Sequence, residues 1–222
     1  MKNLFRFDAP VFRFLSKVGN LILLSLCWLV CSLPIITVGA STAALFCVAF
    51  DLRKDEGNGV FKGFFKAFAA NFKLGTLCWL CMIAIAAILY CIPNVAAIFP
   101  VQLLVMAAIA VTCAMYLMFW LVLSCVFPLV AYFDNTLKKT LKNAVFIAIR
   151  HRKQSIGCAL LLAVPLFVFL IDPMIFAYTC GVWLLVFPGV WAYFTACRFA
   201  PVFEEYANKK KEQEEEPQDE AF

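Results

Sequence analysis

Residues 21–50 read LILLSLCWLVCSLPIITVGASTAALFCVAF, thirty consecutive positions without a charge. Pro34 and Gly39 lie five positions apart in the middle of that run. The fold turns on whether the run is one kinked membrane helix, two helices joined by a tight turn, or a broken element lining a site. Longer uncharged runs follow: residues 74–133, then 154–171, then 173–197. The chain is 64% hydrophobic and only 15% charged, whereas a soluble domain is nearer half apolar and a quarter charged. A bilayer core about 30 Å thick takes about 20 apolar helical residues per crossing. No run alternates with period two, which excludes a β-barrel. The fold class is therefore all-α, a polytopic helical membrane protein.

The positive charges orient it. Lys and Arg number four in residues 1–20, five in 51–73, six in 134–153 and four in 198–222, which accounts for all 19. The positive-inside rule puts all four segments in the cytoplasm, so the chain crosses an even number of times between any two of them. Six transmembrane helices result, with both termini inside. The alternative is five, with a single tilted, Pro34-kinked helix over 21–50 and an external N-terminus. A cleaved signal peptide competes at the N-terminus, since basic residues precede the run and VGASTAA (38–44) offers small residues for cleavage. Against it, cleavage would place the basic segment after Phe50 outside.

The expected organisation is one integral membrane domain over residues 1–204. Its helices fall at about 12–33, 40–55, 74–92, 101–127, 155–171 and 174–197, and a disordered charged cytoplasmic tail follows over 205–222. Within the run 21–50, Pro34 ends the first helix, Gly39 frees the backbone of the turn, and Ser41 or Thr42 caps the second. The turn between the third and fourth helices is placed at 91–100, and Asp172 is a turn residue before Pro173.

Basic amphipathic interfacial helices are expected at about 60–73 and 136–151. In VFKGFFKAFAANFK (60–73), Phe61, Phe64, Phe65, Phe68 and Phe72 fall within about 100° of arc, with Lys62, Lys66 and Lys73 on another side. In 137–150, Leu137, Leu141, Ala144 and Ala148 form a stripe that Phe146 and Ile149 break. In 5–17, Asp8 is the expected N-cap, with Pro10 in the first turn. Each stretch leads into a hairpin through a basic residue and then a glycine, which suggests a threefold unit.

Little in the sequence carries chemistry. Eleven cysteines sit within or at the ends of the apolar runs, where a small polarisable packing role suits them, and His151 is the only histidine. CWLC at 78–81 has redox spacing but lies inside apolar helix. No catalytic motif, metal set or cofactor motif is present, and the uncharged runs hold none of the ionisable groups that coupled carriers use. The sequence thus predicts no enzyme, cofactor or metal. Pro34, Pro93, Pro128, Pro165 and Pro188 interrupt or end the spans, and broken helices line some transporter sites.

Residues 4–45 followed by 60–73 resemble the YesL family, small bacterial membrane proteins defined as a domain of unknown function. The residues carrying the resemblance are Phe7, Asp8, Pro10, Leu33, Pro34, Thr37, Gly39, Ala40, Phe64, Phe65, Phe68, Asn71, Phe72 and Lys73. The chain departs from the family at Ser25, where members often carry Asn. The resemblance implies a bacterial cytoplasmic membrane and an accessory role in carbohydrate uptake, with sugar ABC transporter subunits as partners. Lipid and anionic headgroups are the further expected partners, and nucleic acid is not one. Pro34, Thr37, Gly39, Phe64, Phe68, Asn71, Phe72 and Lys73 are the candidate structural and interaction residues. A small-solute carrier with a path along the proline-broken helices is the alternative. It would show a through-going polar cavity near Pro34 and Pro93, whereas the accessory role goes with a sealed apolar bundle.

Overall fold

The computed structural model describes residues 10–54, 59–98 and 102–215. These residues are almost wholly helical and contain no strand. The α-helices are α1 (Pro10–Ser32), α2 (Val38–Arg53), α3 (Val60–Ala96), α4 (Gln102–Tyr132), α5 (Leu137–Arg150), α6 (Arg152–Ile171), α7 (Pro173–Tyr178), α8 (Cys180–Leu185) and α9 (Phe187–Glu215). Five apolar helical stretches are long enough to cross a membrane, at 15–32, 35–53, 60–96, 105–132 and 152–171.

The run 21–50 is two helices laid side by side. Trp28 Nε1 donates to Thr42 Oγ1 at 3.1 Å, and the Ser32 and Ser41 hydroxyls meet at 2.6 Å. One continuous helix would hold residues 28 and 42 about 21 Å apart. Pro34 makes the break: it lacks an N–H and biases Leu33 out of the helical region. The short 3-10 turn Ile35–Thr37 follows. The rest of the expected turn is corrected. Gly39 lies inside α2, where helix begins at Val38, and Thr37 is the residue before it. Ser41 and Thr42 do not cap; both hydroxyls bond back to the Val38 carbonyl, at 3.0 and 2.6 Å.

Gly39 is needed for its size. A Cβ there would collide with the Gly75 carbonyl and the Trp79 Cβ, and one on Gly75 would stand 2.9 Å from the Ala40 Cα. Small residues on both helices let the backbones touch. α2 is thereby the central helix, packed by α1, α3, α4 and α9, and it is buried nearly throughout from Gly39 to Phe50.

α3 is one unbroken helix of 37 residues, so the separate interfacial helix expected at 60–73 is instead its first part. Nothing at Lys73–Gly75 stops a helix, since a lone interior glycine costs about 1 kcal/mol and breaks nothing. Gly59, at φ +87°, supplies the left-handed turn that lets α3 start. At its other end α3 continues through Pro93 to Ala96, beyond the expected stop near 92. α5 and α6 are separated at His151 (φ −107°, ψ 46°). A threefold unit is not apparent among the described residues, because the second basic stretch runs straight into its helix while the third bends at His151. Asp8 lies outside the described residues.

The expected helix 174–197 is three pieces. Asp172 caps α7, its Oδ1 accepting from Met174 N (2.8 Å) and Ile175 N (3.3 Å), with Pro173 at the first helical position. α9 then runs on to Glu215, so helix replaces the first part of the tail expected to be unstructured from 205. Arg53 pairs with Glu204 at 3.0 Å along this extension.

The core is aromatic at one end. Phe50, Tyr132, Phe133, Phe199 and Phe203 join α2, α4 and α9, with ring centroids 5.0–6.0 Å apart, and Phe46 meets Trp191 edge-on at 4.9 Å. The same end gathers the basic segments. Arg53 meets Glu204, His151 Nε2 meets the Tyr206 hydroxyl at 3.2 Å, and Asn20 shares a cleft with Asp51 and Lys66.

Candidate functional site

Two polar clefts open at that basic end. The first, about 410 Å³, lies among α1, α2 and α3. α1 contributes Asn20, and α2 contributes Cys47 and Asp51, one helical turn apart. α3 contributes Gly63, Lys66 and Asn71. Asn71 Nδ2 donates to its own helix at Ala67 O (3.1 Å) and to Cys47 Sγ (3.5 Å). The Cys47 thiol in turn donates to the Ala131 carbonyl of α4 at 3.4 Å. Asn71 and Cys47 therefore tie three helices together at the floor, while Asp51 and Lys66 stand exposed at the mouth.

The second cleft, about 580 Å³, lies between the end of α4, α5 and α9. Asp134, Asn135, Lys139 and Asn143 supply its polar lining, and Tyr132, Phe133, Phe146 and Tyr206 its aromatic wall. The bond between Tyr206 and His151 holds the α9 extension against the α5–α6 bend. One turn further on, Lys209 Nζ donates to Glu205 Oε1 at 2.6 Å and holds that carboxyl below its ordinary pKa. Both clefts mix carboxylate, ammonium and amide. That combination can hydrogen-bond polar groups of either sign.

The candidate residues from the sequence fall into two groups that meet along α2 and α3. Pro34, Thr37 and Gly39 form the hairpin tip. Thr37 Oγ1 donates to the carbonyls of Cys31 (2.6 Å) and Pro34 (2.8 Å), and Trp79 Nε1 donates to Ile35 O at 2.9 Å. Phe64, Phe68, Asn71, Phe72 and Lys73 lie on α3. Phe64 is fully buried against the core, Phe68 is half-buried, and Phe72 and Lys73 are exposed. The Phe64–Phe68 and Phe68–Phe72 ring pairs continue as a ladder, with centroids 6.3 and 5.5 Å apart. Of these, Asn71 lines the first of the two clefts, while Thr37, Gly39, Phe64 and Phe68 contribute packing or backbone contacts.

Sequence reasoning missed Asn20, Cys47, Asp51 and Lys66 as a set, and all of the second cleft. The Cys47–Asp51 spacing of four was a local signal. The rest come from separate segments and had none.

The interior between the clefts and the far end is closed by side chains. Leu24, Phe46, Cys125, Val126, Ala192 and Phe199 are buried in one apolar cluster. Buried polar groups in the described residues are Ser and Thr, and most bond within the bundle. Ser25 Oγ accepts from Gly189 N (2.8 Å) while donating to Leu21 O (2.9 Å), which joins α1 to α9 where a Cβ on Gly189 would strike the Leu21 carbonyl.

Residues 21–91 match the family model described as "Protein of unknown function, DUF624". No curated protein and no solved structure matches the chain. The matched stretch, about a third of the chain, covers the hairpin tip, the Gly39–Gly75 contact and the α3 side of the first cleft. Residues 21–91 are thus similar to the DUF624 family, in keeping with the YesL-like resemblance of the sequence.

Proposed function

We propose that this is a multi-pass protein of a bacterial cytoplasmic membrane that serves as an accessory to carbohydrate uptake, docking on a sugar ABC transporter. Its chain forms six membrane-embedded helical limbs, an even number, with α7, α8 and the start of α9 together forming the last, and both termini lie in the cytoplasm. The single observation that carries the docking reading is the gathering of the basic segments and both mixed-charge clefts at one end, over an interior packed with apolar side chains. Exposed Lys62, Lys66, Lys73, Lys138 and Lys142 bind anionic headgroups around that end. A carrier needs a polar path along its axis, and here the buried polar groups are scattered Ser and Thr hydroxyls set among Leu24, Phe46, Val126 and Phe199. Pro93, Pro128 and Pro165 are taken into continuous helices, so the breaks that a solute path would use are not made there.

The test is affinity purification in mild detergent from cells grown on complex glycans. A transporter subunit should co-purify, and Asp51→Lys with Lys139→Glu should reduce its recovery. Recovery of the intact protein without any transporter subunit contradicts the proposal.

A further inference from the structure

We infer that the α1–α2 hairpin is re-entrant: it enters the bilayer from the basic side and turns back inside the hydrocarbon, short of the opposite surface. The inference rests on the orientation proposed above and concerns the depth of the first two helices.

α3 serves as a ruler for that depth. Its last cation is Lys73, and the hairpin tip touches it at Trp79, whose Nε1 donates to Ile35 O at 2.9 Å. Trp79 is six residues beyond Lys73, about 9 Å at helical rise, in a hydrocarbon layer about 30 Å thick. α3 then continues to Ala96, about 26 Å past the tip. There Met82, Ile85 and Leu89 face Met115, Met118 and Val122 of α4 across an apolar groove. The α3–α4 pair thus extends well past the α1–α2 pair.

The surface of the tip fits that depth. Leu33, Ile35 and Ile36 are 76%, 72% and 60% exposed, and no charged or amide side chain accompanies them from Leu21 to Phe50. Turns in water draw on Gly, Pro, Asn, Asp and Ser, and this one has Ser32 and Pro34 but no Asn or Asp beside its exposed Leu33, Ile35 and Ile36. At the end of α6 the chain follows that rule, with Asp172 capping the next helix.

Several backbone carbonyls of the tip are met by protein groups, which lowers the cost of non-helical chain inside a bilayer. The Thr37 hydroxyl shares its one proton between the carbonyls of Cys31 and Pro34, Thr37 N–H also donates to Pro34 O, Trp79 donates to Ile35 O, and the Ser32 and Ser41 hydroxyls pair with each other. The apolar composition of α2 needs no lipid to explain it, because its side chains are buried among α1, α3, α4 and α9.

Thiol accessibility tests the inference. Ile36→Cys and Ile98→Cys are made separately with Cys91→Ser, and each is compared with the Cys91→Ser protein for one additional label. A membrane-impermeant maleimide is applied to intact cells and to inverted vesicles. Ile98→Cys should gain a label in intact cells, and Ile36→Cys should gain none from either side but one in denaturant. Labelling of Ile36→Cys from either side overturns the inference while leaving the orientation intact. Labelling of Ile98→Cys only in inverted vesicles overturns the orientation, and the inference with it. Leu33→Cys replaces Ile36→Cys if the latter does not accumulate as a monodisperse protein.

Discussion

Gly39 and Gly75 show what one atom decides in this bundle. With backbones in contact, a methyl group has no space, and overpacking of this kind costs about 1–3 kcal/mol. Gly39→Ala should lower the unfolding midpoint of the detergent-solubilised protein by several degrees. Gly157→Ala, whose added Cβ meets nothing within 4 Å, should leave it unchanged or raise it. Equal midpoints for the two variants would contradict the close contact. Ser25→Ala removes the acceptor of a buried Gly189 N–H, so a loss of about 1–2 kcal/mol is expected in the same assay. Here the sequence was only half legible. Gly39 was visibly special, but glycine offers both freedom and smallness, and only the partner helix shows that smallness is the one used. Ser25 is a working polar link between helices.

At the scale of elements, the phenylalanine ladder on α3 separates two roles that one stripe conceals. Phe64 is fully enclosed, while Phe61 and Phe65 face outward. Phe64→Ala should cost about 3–5 kcal/mol, as large-to-small core changes do, and Phe61→Ala little. Comparable losses in a thermal-shift measurement would show that the ladder buries as one face. Trp79→Phe keeps the ring and removes the donor to Ile35 O. Limited proteolysis in detergent should then cut near residues 33–37 faster than in the parent protein, and an unchanged rate would show that the bond does not hold the tip. The hairpin was legible because proline leaves few options inside an apolar run. The continuity of α3 was not, because the charge pattern that marks a membrane boundary at Lys73 says nothing about the helix axis. The splitting of 173–197 was hidden for a similar reason, as its composition stays apolar across both interruptions.

For the whole molecule, counting cations was the most informative reading. It groups four segments distant in sequence, and the Arg53–Glu204, His151–Tyr206 and Asn20–Asp51–Lys66 neighbourhoods lie at one end of the bundle. Charge placement is legible because it is a sum over segments and needs no knowledge of contacts. The clefts were not, since each takes residues from three elements and no short motif marks them. The account's central claim is that this shared end faces the cytoplasm. Reporter fusions at each terminus test it most directly, one set with a fluorescent protein that matures only in the cytoplasm and one with a phosphatase active only outside. Fluorescence at both termini with no phosphatase activity at either is the predicted result. An active phosphatase at either terminus would contradict it.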